Sequence, residues 1–330
     1  MKNRIKELYF WLLIRINGHH FFRFISRKKI LIVMYHGIVK DPMPIPCWWQ
    51  LPYNLFKWQL EYLNKYYTVM HLTEVIQKIK NKEKLPDNVA IITFDDGFKN
   101  NYSTAFPLLK ELKLPASIFL TTDLIGTDQL IWTDEIFLML AQTKVKSIDL
   151  RKFGLDIIEL SPEKALQVFN IVGDKLKSLN LEDKNAMFTY IKNTLCTQIN
   201  VTTYNDHFKL LSWADVEAMN SSGLIQWGAH SATHQILSRL DDPSLNDEIK
   251  NSCAKISTYG QQILFAYPNG RQVDFDERAQ NILKEFNALC SLTTISGLNT
   301  YSQDLYELKR IGVGHDMTHD RFKLLCSGVL

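Results

Sequence analysis

From Ile30 onward the chain alternates short, unbroken apolar runs with stretches of helical spacing, and each apolar run is closed by polar residues. Ile30 to Met34 ends in Tyr35-His36-Gly37, Asn88 to Phe94 in Asp95-Asp96-Gly97, and Ala116 to Leu120 in Thr121-Thr122-Asp123. Leu224 to Ala229 ends at His230, and Ile263 to Tyr267 at Pro268-Asn269-Gly270; 288–294 and 308–313 supply two further runs. Runs without polar alternation indicate strands buried on both faces. Helical patterns between them, at Phe56–Tyr66, 102–113 and 213–221, indicate a parallel sheet. The predicted fold class is α/β, a distorted (β/α) barrel of about seven parallel strands over residues 29–330. A helical insertion at about 134–206, broken by Pro162, carries no polar cluster of evident chemical purpose.

Residues 1–28 form a separate segment. Ile5, Leu8, Tyr9, Leu12, Leu13 and Ile16 share one helical stripe, Gly18 closes that pattern, and an aromatic and basic run from Phe21 to Lys29 follows. Residues 1–29 hold eight basic residues and one acid, Glu7, so this stretch carries +7 and the remainder −4 of the total +3. A basic, aromatic, amphipathic helix suits either a membrane surface or a cap on the core. The balanced charge of the rest argues against a nucleic-acid partner. Arg15 interrupts the apolar stretch that a signal peptide needs, and no cleavage site follows it. Five scattered cysteines do not form a disulfide framework. The expectation is therefore a cytoplasmic protein, peripheral at the inner membrane surface through residues 1–28.

Chemistry concentrates where the apolar runs end. His36, Asp95, Asp96, Thr121, Asp123, His230, Pro268 and His315 all lie at or just past such ends, which in a (β/α) barrel converge on one face. Asp95-Asp96 places two carboxylates on one turn, and two like charges so close resist joint ionisation unless a cation neutralises one. His230 and His234, four residues apart, are expected on one side of a helical turn, where both can take the same metal. Two histidines and one carboxylate suit zinc by default, with Fe, Co or Ni as alternatives, and leave positions open for water and substrate.

Taken in order, Met34-Tyr35-His36, Thr93-Phe94-Asp95-Asp96-Gly97, His230-Ser231-x-x-His234, Phe265-Ala266-Tyr267-Pro268-x-Gly270 and Lys309-Arg310-Ile311-Gly312-Val313 resemble the motifs of the polysaccharide deacetylase family of metal-dependent carbohydrate esterases. The resemblance implies a divalent metal on Asp96, His230 and His234, with Asp95 as the base for the attacking water. It implies removal of N-acetyl, and secondarily O-acetyl, groups from a glycan or glycan precursor, and the cytoplasmic expectation points to a lipid-linked or nucleotide-linked sugar as that precursor. His315, with Asp316 to orient it, matches the late apolar-x-His element and is preferred to His36 as general acid. Many members carry an arginine two residues before the proline; Ala266 stands there, so Arg310, ahead of Arg271, is expected to hold Asp95. The Asp-x-x-Asp-Trp element is absent, leaving Tyr267, Trp132 and Trp227 as candidates for the acetyl-pocket wall or for core packing. Trp48-Trp49 lies on a loop that can cover the site. These departures keep two other readings open: a catalytically silent, metal-stabilised barrel that binds glycan or a partner, and an amidohydrolase acting on a non-sugar amide.

Overall fold

The computed structural model describes residues 10–329 except 11, 42, 44, 46, 196–204 and 261. Its strands in chain order are β1 (Ile30–Tyr35), β2 (Gly37–Val39), β3 (Gln50–Pro52), β4 (Thr68–Val69), β5 (Val89–Phe94), β6 (Ala116–Leu120), β7 (Ser147–Asp149), β8 (Ile157–Glu159), β9 (Ile225–Ala229), β10 (Leu264–Ala266), β11 (Cys290–Leu292) and β12 (Ile311–Gly312). Seven of them form a curled parallel sheet in the order β11-β10-β9-β6-β5-β1-β12, and β4 pairs with the start of β5. A parallel bridge between Leu292 and Leu308 sets the segment leading into β12 beside β11 and links the two ends of the curl. This is the distorted (β/α) barrel expected from the apolar runs. The later strands are shorter than their runs because turns at Pro268 and after Leu292 take up the flanking residues.

All six residues of β1 and of β5 are buried, as their unbroken apolar character requires. Alternate side chains divide between two clusters. Leu31, Val33, Tyr35, Ala90, Ile92 and Phe94 pack with the surrounding helices, among them Tyr53–Tyr66. Ile30, Ile32, Val89 and Ile91 meet Phe119, Leu264 and Leu292 from other strands, and the helix Leu72–Lys80 adds Leu72, Val75 and Ile76 to this interior. Gly228 in β9 sits against Phe119 of β6, whose ring leaves no room for a side chain.

The region predicted as a helical insertion consists of helices Trp132–Gln142, Ala165–Ser178 and Leu181–Leu195 and an antiparallel hairpin, β7–β8, that helical periodicity did not suggest. It is fastened to the barrel mouth by aromatic packing, with Trp49 lying 5.4 Å from Phe137 and 5.3 Å from Phe169. Cys47, Cys253, Cys290 and Cys326 are buried free thiols.

Near the N-terminus, the helical pattern breaks at Asn17, whose φ is 53°, and a new helix, Gly18–Ile25, begins where the sequence suggested only an aromatic and basic run. Leu13 packs on Leu324 and Val329, with Phe10, Ile14 and Phe22 against them. Part of the apolar stripe therefore caps the core. Leu12, Ile16, Phe21, Phe24 and Ile25 remain exposed. No helix among the described residues is long and apolar enough to cross a membrane.

Gly228→Ala places a Cβ 2.3 Å from the Phe119 ring. The resulting overpacking is expected to cost about 1–3 kcal/mol, read as a lower urea midpoint; an unchanged midpoint would show that β6 and β9 can separate freely.

Candidate active site

Asp95 and Asp96 follow β5 directly, and the turn that carries them is clamped from outside. Leu211 N–H donates to the Gly97 carbonyl and Lys99 N–H to that of Lys209. Lys99 also reaches both carboxylate oxygens of Asp215 at 2.6 Å. Asp96 itself has φ 76°, a left-handed conformation that a non-glycine residue adopts at some cost. The next turn of chain holds β1's end: Asn101 Nδ2 donates to the His36 carbonyl at 2.7 Å, and Asn100 Oδ1 accepts from Ile38 N–H at 3.0 Å.

The two metal-candidate histidines converge by a different route from the helical turn expected. Residues 230–236 are not helical, and Ser231 and His234 take φ values of 61° and 64°. Glu248 organises this loop by accepting from Ala232 and Thr233 N–H, both at 2.9 Å. Ser231 Oγ accepts from His234 N–H, and Trp132 Nε1 donates to the His234 carbonyl. His230 Nδ1 lies 2.7 Å from the Ala266 carbonyl. A carbonyl only accepts, so the ring proton sits on Nδ1 and Nε2 is left bare, the usual arrangement of a metal-ligating histidine. Ala266 thus serves the site through its backbone.

Asp96 Oδ1 is buried without a hydrogen-bond partner, 3.5 Å from His230 Nε2 and 3.4 Å from His234 Nε2. Donors each about 2.0–2.1 Å from a tetrahedral ion stand about 3.4 Å apart, so the three side chains fit a small divalent cation. Burial lowers the pKa of both imidazoles, that of His234 to about 3 with Lys184 and Lys177 adding to the effect, so both are neutral and able to ligate near pH 7. Asp96 is raised by its burial, with His36 and His230 acting against the shift; a cation would reverse it.

Asp95 has the opposite fate. Burial opposes its charge, but Arg310 outweighs burial and, with His230, holds the carboxyl well below the usual carboxylate range. Arg310, wholly buried, comes from the residue before β12 and reaches past β1 to make a paired contact, Nη1 to Oδ1 at 2.8 Å and Nη2 to Oδ2 at 2.7 Å. Its Nε donates to the Thr293 carbonyl at 2.7 Å, which fixes the guanidinium plane.

Asp95, Asp96, His230 and His234 line a cavity of about 340 Å³, with Met34, His36, Trp48, Trp49, Thr133, Asp134, Phe169, Lys177, Asn269, Arg271 and Thr294 completing the wall. Its position at the C-terminal strand ends matches the face predicted for catalysis. His36 is on this wall, edge-on to Trp48 at 5.2 Å. His315 is not: its N–H is tied to the Trp48 carbonyl, and the exposed Asp316 pairs with Arg321 at 3.5 Å instead of orienting it. Tyr267 and Trp227 are buried as core, hydrogen-bonded to Tyr306 O and Asn220, and Trp132 supports His234 from behind. Asp134 was not foreseen. Fully buried, it accepts from Trp49 Nε1 at 2.9 Å, and burial pushes its carboxyl far upward. The only signal for it in the chain was proximity to Trp132, because nothing local indicates that the insertion folds back over the mouth.

The profile of the polysaccharide deacetylase family matches residues 82–148 and 174–289, more than half of the chain and including Asp95, Asp96, His230 and His234. The chain belongs to the polysaccharide deacetylase family. Within this family it is 28% identical to YxkH of Bacillus subtilis over 134 residues, 40% of this chain and 45% of that protein. Over 72 residues it is 36% identical to the poly-β-1,6-N-acetyl-D-glucosamine N-deacetylase of Staphylococcus epidermidis, 22% of this chain and 25% of that one. The match thus spans less than half the length of either curated relative. Among solved structures, the Streptococcus pyogenes deacetylase PplD in complex with acetate superposes with a TM-score of 0.57 at 19% identity, covering 89% of this chain and 96% of that one. IcaB from Ammonifex degensii gives 0.55 at 15% identity, covering 91% and 96%. Both share the deacetylase fold.

Arg310→Met leaves the Asp95 charge buried without its partner, a change expected to cost about 3–5 kcal/mol. Urea unfolding of Arg310→Met, Asp95→Asn and the double variant checks this. The double variant should lose less than the two single losses added together, and simple additivity would mean that the pair is not coupled.

Proposed function

We propose that this chain is a metal-dependent hydrolase that removes N-acetyl groups from a glycan. The observation that carries the reading is a second buried carboxylate, Asp95, kept ionised by Arg310 beside a complete ligand triad and opening on the same cavity. A structural metal site has no use for such a group, which weighs against a silent barrel. The similarity to a poly-N-acetylglucosamine deacetylase supports a sugar over a non-sugar amide. Asp96, His230 and His234 would hold the ion, zinc by default, with Fe, Co or Ni accepted by the same donors. Such an ion would acidify a water at its open position and polarise the acetyl carbonyl.

The protein's own groups then divide the work. Asp95 accepts the proton of the attacking water, and Arg310 keeps the carboxylate ionised and aimed. Its low basicity would be tolerable with an ion in the triad acidifying that water. His36, on the cavity wall, is placed to protonate the departing amine, the role that the sequence motif assigned to His315. Its pKa is lowered by burial, while Asp96 and Asp95 counter the shift and favour the protonated form. Trp48 and Trp49 supply flat apolar surface for a sugar face.

Acetate release from N-acetylglucosamine oligomers, measured together with bound zinc, tests this assignment. Asp95→Asn should retain metal and lose activity, and His234→Ala should lose both. His36→Gln should cost about 10²–10⁴-fold, the range for a general acid, while His315→Gln should cost little. Stoichiometric metal without acetate from any oligomer would restore the silent-barrel reading.

We further infer that the helix Gly18–Ile25 docks on an anionic membrane surface. Phe21, Phe24 and Ile25 form an exposed apolar stripe, extended by Leu12 and Ile16 and flanked by Arg23, Arg27, Lys28 and Lys29 without an acid on the segment. Each such basic residue near anionic lipid contributes about 1 kcal/mol. The segment leads into β1, and its Arg27 and Lys28 pair with Asp87 just before β5, so it lies at the N-terminal strand ends, away from the cavity. A docked protein would present its mouth to the glycan side rather than to the bilayer. Co-flotation with phosphatidylglycerol vesicles should be lost in a Phe21→Ser/Phe24→Ser/Ile25→Ser variant; equal flotation, or self-association abolished by the variant, would overturn the docking.

A further inference from the structure

The cavity that holds the carboxylates and imidazoles also gathers hydrogen-bond donors from two distant parts of the chain. Lys177 comes from the insertion helix Ala165–Ser178, and Asn269 and Arg271 come from the turn after β10. Three observations distinguish this wall. Lys177 is half-buried and makes no hydrogen bond or ion pair among the described residues. Asn269 Nδ2 is buried without an acceptor, on a residue whose φ is 58°. Arg271, by contrast, spends Nε and Nη2 on Asp274 at 2.9 and 3.0 Å, and its Nη1 is 3.9 Å from Asp174.

The other charges on the cavity are already committed. Asp95 is saturated by Arg310, and Asp96 belongs to the ligand triad. Asp134 is held toward its neutral form by burial and engaged by Trp49. Among the described residues lining the cavity, Lys177 is thus a cation without an ion pair, with Asp174 and Asp274 near enough to favour its charge but each also facing Arg271. Burial first, and then Arg271, lower its pKa, with Asp174 and Asp274 acting against the shift, so its charge is held at a net cost. A partly desolvated cation lining the same cavity as an unsatisfied amide donor is a site for an anionic oxygen, because such a ligand supplies both an ion-pair partner and the missing acceptor.

We propose that Lys177 and Asn269, with Arg271 beside them, bind an anionic group of the substrate, a phosphate or a carboxylate carried on the acetylated sugar or its immediate neighbour. This inference rests on the deacetylase reading above and narrows it. A cavity of 340 Å³ leaves little distance between the acyl group and the anion. The substrate would then be a charged amino sugar or a charged glycan repeat instead of a neutral polyhexosamine. The insertion, through Lys177, would be the specificity element of an otherwise shared barrel.

The test measures binding by calorimetry to the zinc-loaded full chain carrying Asp95→Asn, which prevents turnover, with acetate release from the wild type measured in parallel. The probes are N-acetylglucosamine 1-phosphate, 2-acetamido-2-deoxyglucuronate and the neutral methyl N-acetylglucosaminide. At least one anionic sugar should bind ten-fold or more tightly than the neutral one. Lys177→Met should bring that ratio close to one, and Lys177→Arg should restore it. A preference for the phosphate would point to a sugar phosphate or phosphodiester, and a preference for the carboxylate to a uronate. Equal or absent binding of the anionic sugars, or a preference that survives in Lys177→Met because the zinc takes the anion, would overturn the proposal. Acetate release with no anion preference would sink the subsite and leave the hydrolase standing. Anion preference without acetate would do the reverse.

Discussion

The paired contact between Arg310 and Asp95 is the constraint around which the rest of the site is built. Both groups are almost completely removed from water, so each is tolerable only with the other in place. The arginine enters from the start of the last strand and the aspartate from the end of β5, with β1 between them. The pair therefore exists only when the curled sheet has brought its final segment round. Such a pair adds little to stability compared with apolar packing; its worth lies in holding an ionised carboxylate in one orientation. Thr293, whose carbonyl anchors Arg310 Nε, ties the same arrangement to the end of β11.

Around that pair, neighbouring groups of the same type are driven to different states by their surroundings. Asp95 and Asp96 are adjacent in the chain, yet one is held ionised by a guanidinium while the other is left with an unpartnered oxygen facing two neutral imidazoles. The second arrangement has the geometry of a metal-ligand set. The protein stabilises its geometry from behind, through the Ala266 carbonyl on His230, Ser231 and Trp132 on His234, and Glu248 beneath the loop between them. Left-handed backbone at Asp96, Ser231 and His234 marks where the chain is bent to make these donors converge, a conformational cost that the surrounding hydrogen bonds sustain.

The barrel supplies the two carboxylates and two imidazoles of the candidate site, and the insertion supplies part of the cavity wall. Phe169 and Lys177 reach the cavity from the helix Ala165–Ser178, and Asp134 steadies Trp49 from the helix Trp132–Gln142. The barrel core could therefore stay constant while substitutions on these helices alter which glycan is admitted. The exposed aromatic and basic helix lies at the other end of the strands, away from the mouth.

The fold was legible in the chain because parallel strands buried on both faces must be unbroken apolar runs, and seven such runs mark the seven strands. Asp95, Asp96, His230 and His234 were legible because each sits in a short local motif, and Arg310 because a missing arginine at Ala266 left a charge to be balanced. The hairpin β7–β8 was too short to stand out from helical surroundings. The positions of His36 and His315 could not be read locally, since both follow strand ends and only the packing of the Trp48 loop decides which one meets the cavity. Asp134, Lys177 and Asn269 carry no motif at all; they acquire a role when distant segments converge. The chain alone determined the barrel and the reactive side chains it could offer, because these follow from local periodicity and spacing. Tertiary structure decided which of those side chains share one cavity and which charges lack an ion pair there, because burial and pairing exist only after the chain has closed on itself.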